Sequence, residues 1–491
     1  MLVNTMSTEK IYLFLGNGSE KTGKKALIRS KILKLMFHGV LDENTEIISG
    51  AYHTSIYDIN FFKLKKIVDD YDIKLICLGD KDYTNEYDFY LTQNFLAEEA
   101  LIRDVEYLDE SIKNDFVKLL FDNKSLCVMP WIGIHQDGNK VDSCCIQITD
   151  QNYDVAVVKK NMLDNKKPKE CRECYLIEDG NSISNRVLLS SEWSQRLNIK
   201  TIEDLNNSNK IEYFDFRLDN TCNLMCRTCN PQNSSLIEKE YSKIGLYTGI
   251  PINKKTSFFN DDQLKNGKRF YFAGGEPLWH PDFLKTLEQL EGLGLLDADI
   301  QINTNAAKIP KKVIDIFKKF SNLFFIVSFD GFEDKLTYIR WPNKWDLFCE
   351  NVKILSELSE KPLQFNCVIS LYNITNCYSM LKWIEDNYEN SVLSFTILTY
   401  PVFQQAKFFP DKALALSEIE KLKTLKRFFN DEVFVSKVAL LENLIKVQEL
   451  DTKTLEEFFK FNDLLDTSRN CKLSDYIPEL DKCRQYITNQ I

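Results

Sequence analysis

Histidine is scarce in this chain of 491 residues: there are four, His38, His53, His135 and His280. Hydrolytic zinc centres and histidine-rich metal sites therefore lack most of their usual ligands. Basic charge is in deficit as well. Lys and Arg number 62 against 72 Asp and Glu, so 62 − 72 gives a net charge of −10, whereas neutralising a phosphate backbone needs a basic face; no nucleic-acid partner is expected. Long apolar runs are missing. Nothing approaches the roughly 18 apolar residues of a membrane span, and the best run, Phe324 to Phe329, has the length of a buried strand, so no membrane association is expected. The start, MLVNTMSTEKIYLF, lacks a basic stretch followed by a long apolar one, which shows no secretory signal and makes the cytoplasm the default. Long linkers, low-complexity tracts and convincing repeats are absent too. With 44% hydrophobic and 27% charged residues, the composition is that of an ordinary globular chain with room for two or three domains.

Cysteine is what the chain concentrates. Of 14, eight lie in tight groups: Cys127, Cys144, Cys145, Cys171 and Cys174 upstream, then Cys222, Cys226 and Cys229, with one of the adjacent pair surplus. In a reducing compartment such groups read as metal ligands before disulfides, and thiolates without histidine favour iron-sulfur clusters. Cys77, Cys349, Cys367, Cys377, Cys471 and Cys483 are scattered in apolar surroundings and are expected as small buried hydrophobes.

Residues 10 to 115 alternate short apolar runs (10 to 16, 45 to 52, 74 to 80) with helical patterns (23 to 38, 55 to 70, 88 to 103). That order predicts an N-terminal α/β domain of two or three layers, 1–118. Gly18-Ser19-Glu20-Lys21-Thr22-Gly23-Lys24-Lys25 nearly spells a phosphate-cradling loop, but Lys25 stands where the magnesium-binding hydroxyl belongs, and a glycine-bearing strand-to-helix turn occurs in any such unit. Residues 119–205 are short segments punctuated by Gly, Asp and Cys, with a hairpin expected to turn at Asp137-Gly138. From 211, six candidate strands (IEYFDFRLD, KRFYFAGG, DIQINTN, LFFIVSFDG, LQFNCVIS, LSFTILTY) are each followed by helical periodicity. This repetition predicts an α/β fold with a full or partial β/α barrel over 206–405, whose strand-end loops would build the site. A helical C-terminal region, 406–491, follows.

The first barrel strand runs into Cys222-Asn223-Leu224-Met225-Cys226-Arg227-Thr228-Cys229. Thiolates at this spacing can hold three corners of a cubane and leave the fourth iron open, which catalysis needs. At the end of the second strand stand Ala273-Gly274-Gly275-Glu276-Pro277. Read alone, the glycines mark a strand-end bend before a breaking proline; beside a ligand, they let backbone approach closely.

On these two motifs the sequence resembles the radical S-adenosylmethionine (SAM) enzymes, matching CxxxCxxC and GGEP on successive strands. The resemblance implies a radical SAM core with a catalytic four-iron four-sulfur cluster on Cys222, Cys226 and Cys229, and SAM seated by Gly274, Gly275, Glu276 and Pro277. Asn303 and Asn305 after the third strand, and Ser328 and Asp330 after the fourth, stand where the family grips the cofactor, although the same residue types serve as helix caps and Asx turns. Arg340 is a candidate partner of the SAM carboxylate, or else of a surface acid. One departure is Thr228, where many members carry an aromatic residue near the adenine.

Cys127-Val128-Met129-Pro130-Trp131, Asp137-Gly138, Cys144-Cys145 and Cys171-Arg172-Glu173-Cys174 resemble the auxiliary-cluster module of the twitch-domain subgroup. This implies a second four-iron four-sulfur cluster on Cys127, Cys144, Cys171 and Cys174, with Cys144 favoured over Cys145, and structural zinc on the same thiolates as the alternative. Phe461 to Asp466 and Tyr476 to Leu480 resemble that subgroup's closing segment. The implied activity is reductive cleavage of SAM and hydrogen abstraction from a small-molecule or peptide substrate, with flavodoxin or ferredoxin as electron donor. A non-catalytic iron-sulfur or zinc scaffold is the alternative.

Overall fold

A computed structural model describes residues 12–14 and 46–48, then 116 to 488 except 117–118, 121–122, 139, 150–152, 180–183, 248–258 and 429–430. The chain divides into two compact units, Met1–Trp131 with Ile146–Ser208, and Ile132–Cys145 with Asn209–Ile491. Among the described residues, no helix is long and apolar enough to cross a membrane.

In the first unit, β1 (Tyr12–Phe14) and β2 (Glu46–Ile48) pair in parallel, each inside a run read as a strand. The third run, the three N-terminal helical patterns, the glycine-bearing loop at 18 to 25 and Cys77 lie outside the described residues. Local chemistry starts the helices that follow. Asp154 caps Val155–Leu163 by accepting from the Ala156 N–H, and Thr201 with Asp204 forms a capping box on Ile202–Asn207, each satisfying amides that a helix start leaves orphaned.

The second unit is built on one sheet. Its strands are β3 (Gly133–Asp137), β4 (Lys140–Asp142), β5 (Tyr213–Arg217), β7 (Arg269–Ala273), β8 (Asp299–Thr304), β9 (Asn322–Ser328), β11 (Gln364–Ile369) and β12 (Val392–Ile397), with β6 (Met225–Cys226) and β10 (Arg340–Trp341) paired apart as a short antiparallel ribbon. The sheet order is β12-β11-β9-β8-β7-β5-β3-β4. All six expected strands form and lie parallel in chain order. The expected hairpin also forms, turning at Gly138 with φ of 63°. Its strand β3 then extends the main sheet by pairing parallel to β5.

The full-barrel alternative is corrected here: β4 and β12 end the sheet without pairing to each other. Six strand-helix repeats fall short of the eight that close a barrel, and antiparallel β4 occupies the edge at which a further parallel strand would add. The sheet is an open, mostly parallel one with two unlike faces.

Alternation along the strands decides those faces. Phe214, Phe270, Ile300 and Leu323 form one cross-strand row, and Phe216, Phe272, Ile302 and Phe325 the next. These rows are buried and join one core cluster with Phe283, Leu287 and Leu290 of the helix Pro281–Gly292 and with Val313, Ile316 and Phe317 of Lys311–Phe317. The same cluster takes in Ala415, Ile419, Leu455 and Phe458 from the C-terminal helices. Phe272 sits centrally, its ring centroid 5.2 Å from Phe216 and 4.9 Å from Phe283. Truncating a phenylalanine in such a core removes transfer energy and leaves a cavity, so Phe272→Ala is expected to cost about 3–5 kcal/mol, read as a lower midpoint in denaturant unfolding.

Candidate functional site: a cysteine loop against a diglycine bend

The loops after β5 and β7 are fitted to each other. Gly274 and Gly275 have φ of 78° and 47°, a left-handed backbone that glycine adopts without strain. A Cβ on Gly275 would lie 2.3 Å from the Thr221 carbonyl oxygen, so the absent side chain is what lets the bend touch the residue preceding Cys222. The Glu276 N–H donates to that same carbonyl at 2.9 Å. Asp219 and His280 join the two loops again at 3.0 Å.

All three thiols of the loop have raised pKa values. Burial is the main cause at each, and the neighbouring Cys226 adds to it at Cys222 and at Cys229, which is pushed up to about 12. These thiols are partly buried, and desolvated thiols ionise readily only with compensation, which a metal supplies. Donors already point at them: Leu224 N–H and Asn305 Nδ2 at 3.5 Å and 3.9 Å from the Cys222 Sγ, and Arg340 Nη1 at 3.9 Å from the Cys226 Sγ. Such a shell suits thiolate ligands. Among the described residues, no group of three or more His, Cys, Asp or Glu is gathered so as to hold a metal ion.

Glu276 lies beneath the bend, buried, with its carboxylate accepting from the Thr304 hydroxyl at 2.7 Å, the Asn305 N–H at 2.6 Å and the Leu278 N–H at 3.2 Å. It ties the end of β8 to the β7 loop. Burial pushes its pKa up to about 7 against those hydrogen bonds. Pro277 starts the 3-10 turn that Glu276 caps. Asn305 is similarly engaged, donating to Asn223 Oδ1 at 2.8 Å and accepting from the Ala307 N–H at 2.9 Å. Asn303 Oδ1 is different: it is buried without a hydrogen-bond partner, an acceptor suited to a ligand's donor. Ser328 stands in register with Asn366 on the neighbouring strand. Arg340 Nε binds Asp330 at 2.8 Å, and Asp330 is 2% exposed, so the acid facing Arg340 is an interior one rather than the surface acid expected as the alternative.

Residues that the motifs did not single out hold the loop from behind. Arg227 is fully buried; it donates to Tyr338 O at 2.9 Å, Asn462 Oδ1 at 2.8 Å and Asp466 Oδ1 at 2.5 Å, with its guanidinium 3.5 Å from the Tyr338 ring centroid. The Glu240–Arg469 pair, also buried, adds two hydrogen bonds of 2.9 Å and 2.6 Å. Cys471 joins this network through Arg227 and Asp466, and both it and Cys349 are only partly buried, which departs from the expectation of buried hydrophobes; Cys367, Cys377 and Cys483 meet that expectation. On the polar face of the sheet, Asp215, Tyr271 and Gln301 form a cross-strand row. Arg217 pairs with Asp215 at 3.1 Å and lies 4.8 Å from the Tyr271 ring centroid, while burial raises Asp215 to about 7.

In the first unit, Cys127, Cys171 and Cys174 are all buried. Burial pushes Cys127 up to about 12 and Cys171 up to about 11, with nearby thiols adding to both. The Cys127 segment is pinned by Arg186 donating to Leu126 O at 2.6 Å, Ser190 accepting from the Val128 N–H at 3.2 Å, and Tyr175 donating to Ser125 O at 2.9 Å. Gln147 donates to the Cys171 Sγ at 3.4 Å. In the second unit, Cys144 and Cys145 follow β4, and they have unequal surroundings: a hydrogen bond from Cys144, aided by Arg217, pulls Cys145 down to about 6.

The open, mostly parallel sheet carries a cysteine loop packed on a diglycine bend, and two curated proteins resemble the chain by sequence over part of its length. The chain is 24% identical over 165 residues to a GTP 3',8-cyclase of Cyanothece sp., covering 33% of this chain and 48% of that protein. It is 23% identical over 225 residues to molybdenum cofactor biosynthesis protein 1 of Dictyostelium discoideum, covering 45% and 34%. The chain thus spans less than half the length of the curated relatives it matches. No protein-family model matches it. Among solved structures, native anSMEcpe with bound AdoMet aligns at TM-score 0.30 and 15% identity, over 42% of this chain and 60% of that one. Streptococcus suis SuiB bound to S-adenosylmethionine aligns at 0.29 and 17%, over 57% and 60%.

Two changes test the geometry. Gly275→Ala places a Cβ against the Thr221 backbone, so it is expected to cost more than the roughly 1–2 kcal/mol of a left-handed L residue, measured by thermal unfolding beside iron uptake. Glu276→Gln tests the buried carboxylate. Its folded pKa, raised from 4.5 to about 7, means the unfolded chain loses this proton first as pH rises, so wild-type stability should fall between those values and level off above. The variant is expected to show a shallower fall in that window.

Proposed function

We propose that the protein is a radical SAM enzyme whose Cys222, Cys226 and Cys229 ligate a four-iron four-sulfur cluster with one iron open to SAM. When bound, cluster and SAM together supply a 5'-deoxyadenosyl radical that abstracts hydrogen from substrate. One observation carries the reading: the diglycine bend packs directly on the residue preceding Cys222, with a glycine where a Cβ would lie 2.3 Å from the Thr221 carbonyl oxygen. Gly274 and Gly275 leave backbone open to the methionine end of SAM. Asn303 offers a buried acceptor to a donor on the cofactor, Ser328 a hydroxyl one strand further on, and Asp330 with Arg340 a charged pair beside the Cys226 sulfur. Glu276 and Asn305 serve by fixing the strand-end loops.

The polar sheet face, with Asp215, Arg217, Tyr271 and Gln301, is the proposed substrate face, taking a small molecule or a peptide. An abstracting radical makes an encoded general base unnecessary. Cys127, Cys171 and Cys174 are proposed ligands of an auxiliary cluster, supported by their burial and mutual proximity, and a flavodoxin or ferredoxin is the proposed donor.

Anaerobic reconstitution tests this. About seven to eight iron per chain is expected for two four-iron clusters, with 5'-deoxyadenosine formed on dithionite reduction in the presence of SAM. Cys226→Ser is expected to remove about four of those iron and all of the 5'-deoxyadenosine. One zinc per chain with no SAM cleavage would instead identify a non-catalytic scaffold.

A further inference from the structure

The ribbon of β6 and β10 places Arg340 directly opposite Cys226 and Trp341 opposite Met225. Next to it, the Arg227 N–H donates to Ile339 O at 2.8 Å, so the backbone on both sides of the pair is fixed. The Arg340 guanidinium is fixed as well. Its Nε donates to Asp330 Oδ2 at 2.8 Å, and its Nη1 lies 3.9 Å from the Cys226 Sγ. Asp330 is in turn held by the Val368 N–H on Oδ1 at 2.9 Å and by Asn373 Nδ2 on its carbonyl at 2.8 Å. The Asp330 side chain is buried at 3% exposure, and the Arg340 side chain is partly buried at 13%. A chain of contacts therefore runs from β11 through Asp330 and Arg340 to one sulfur of the cysteine loop.

We propose that Arg340 is a tuning residue of the cluster, acting through the Cys226 sulfur, with Asp330 as the positioning residue that aims it. The proposal rests on the reading of Cys222, Cys226 and Cys229 as cluster ligands. Reduction adds one electron, and so one negative charge, to a cluster and its thiolates. A fixed cation donating to a ligand sulfur stabilises that added charge more than it stabilises the oxidised form, which raises the potential. The Asp330 carboxylate is bound at Nε, whereas Nη1 faces the Cys226 Sγ, so the donor at the sulfur belongs to the cation. Low local dielectric strengthens the effect. This use differs from a salt bridge to the SAM carboxylate, because it operates with no SAM bound.

The test is a redox titration of the reconstituted full chain without SAM, followed by the electron paramagnetic resonance of the reduced cluster, in wild type, R340M and R340K. To separate this signal from any auxiliary one, a C226S sample provides the background. The midpoint is expected to move to lower potential in R340M and to recover in part in R340K, which keeps charge but loses the planar fork. An R340M midpoint equal to wild type overturns the proposal, and if SAM affinity alone falls, the guanidinium serves the cofactor instead. Should R340M fail to take up iron, R340Q, neutral but still a donor, is titrated in its place, and a wild-type midpoint there overturns the proposal equally. A wild-type chain that takes up no four-iron cluster overturns the underlying reading itself.

Discussion

Behind the cysteine loop lies one buried cation on which the arrangement of the site depends. Arg227 sits between Cys226 and Cys229 in sequence, yet its guanidinium points into the protein and meets Asp466, Asn462 and the Tyr338 carbonyl. A fully buried guanidinium is tolerable only with its donors satisfied, and removing one partner of such a pair typically costs about 3–5 kcal/mol. The loop consequently cannot turn its thiols away without stranding that charge. Asp466 reinforces the constraint by also accepting from the Tyr338 hydroxyl at 2.9 Å and the Leu473 N–H at 2.7 Å. Asn462 accepts from the Tyr372 hydroxyl at 2.9 Å. The helix Thr452–Arg469 is thus a structural back wall to the loop rather than a separate appendage.

The sheet supplies the opposite requirement, a rigid base with one face left polar. Its aromatic rows stack from strand to strand, Phe214 on Phe270 at 5.1 Å for example, and helices seal that side. Polar residues occupy the alternate positions, and their burial without full pairing, at Asp215 Oδ1 and Asn303 Oδ1, is a cost that a packed core would not retain. On the proposed reading of this face, these unpaired acceptors are what a ligand's donors would meet.

Much of this was legible in advance from particular residues. The strands were readable because runs such as RFYFA and DIQINT alternate large apolar with polar side chains, and the Asp137-Gly138 turn because the bend needs a positive φ. The thiol spacing and the two glycines identified the loop and its neighbour. What the motifs could not give was the partner of each polar group. Glu276 belongs to the cofactor motif by position, yet its carboxylate is taken up by Thr304, Asn305 and Leu278. By its place in the sequence Arg340 can face SAM or a surface acid, and in the structure it lies between an interior aspartate and a cysteine sulfur. Arg227 carried a faint signal, a cation inside the cysteine motif, but its partners are 235 and 239 residues away.

Sequence alone determined the local chemistry: which residues can ligate, which turns need glycine, and which strands have two unlike faces, since each follows from residue type and spacing along a few positions. Tertiary structure alone decided the pairings. Open sheet edges, the ribbon that sets Arg340 opposite Cys226, and the helix that receives Arg227 all depend on contacts between segments far apart in the chain. Burial then selects among chemically equivalent partners, because a charge or carbonyl removed from water must be satisfied by whatever the packing brings to it.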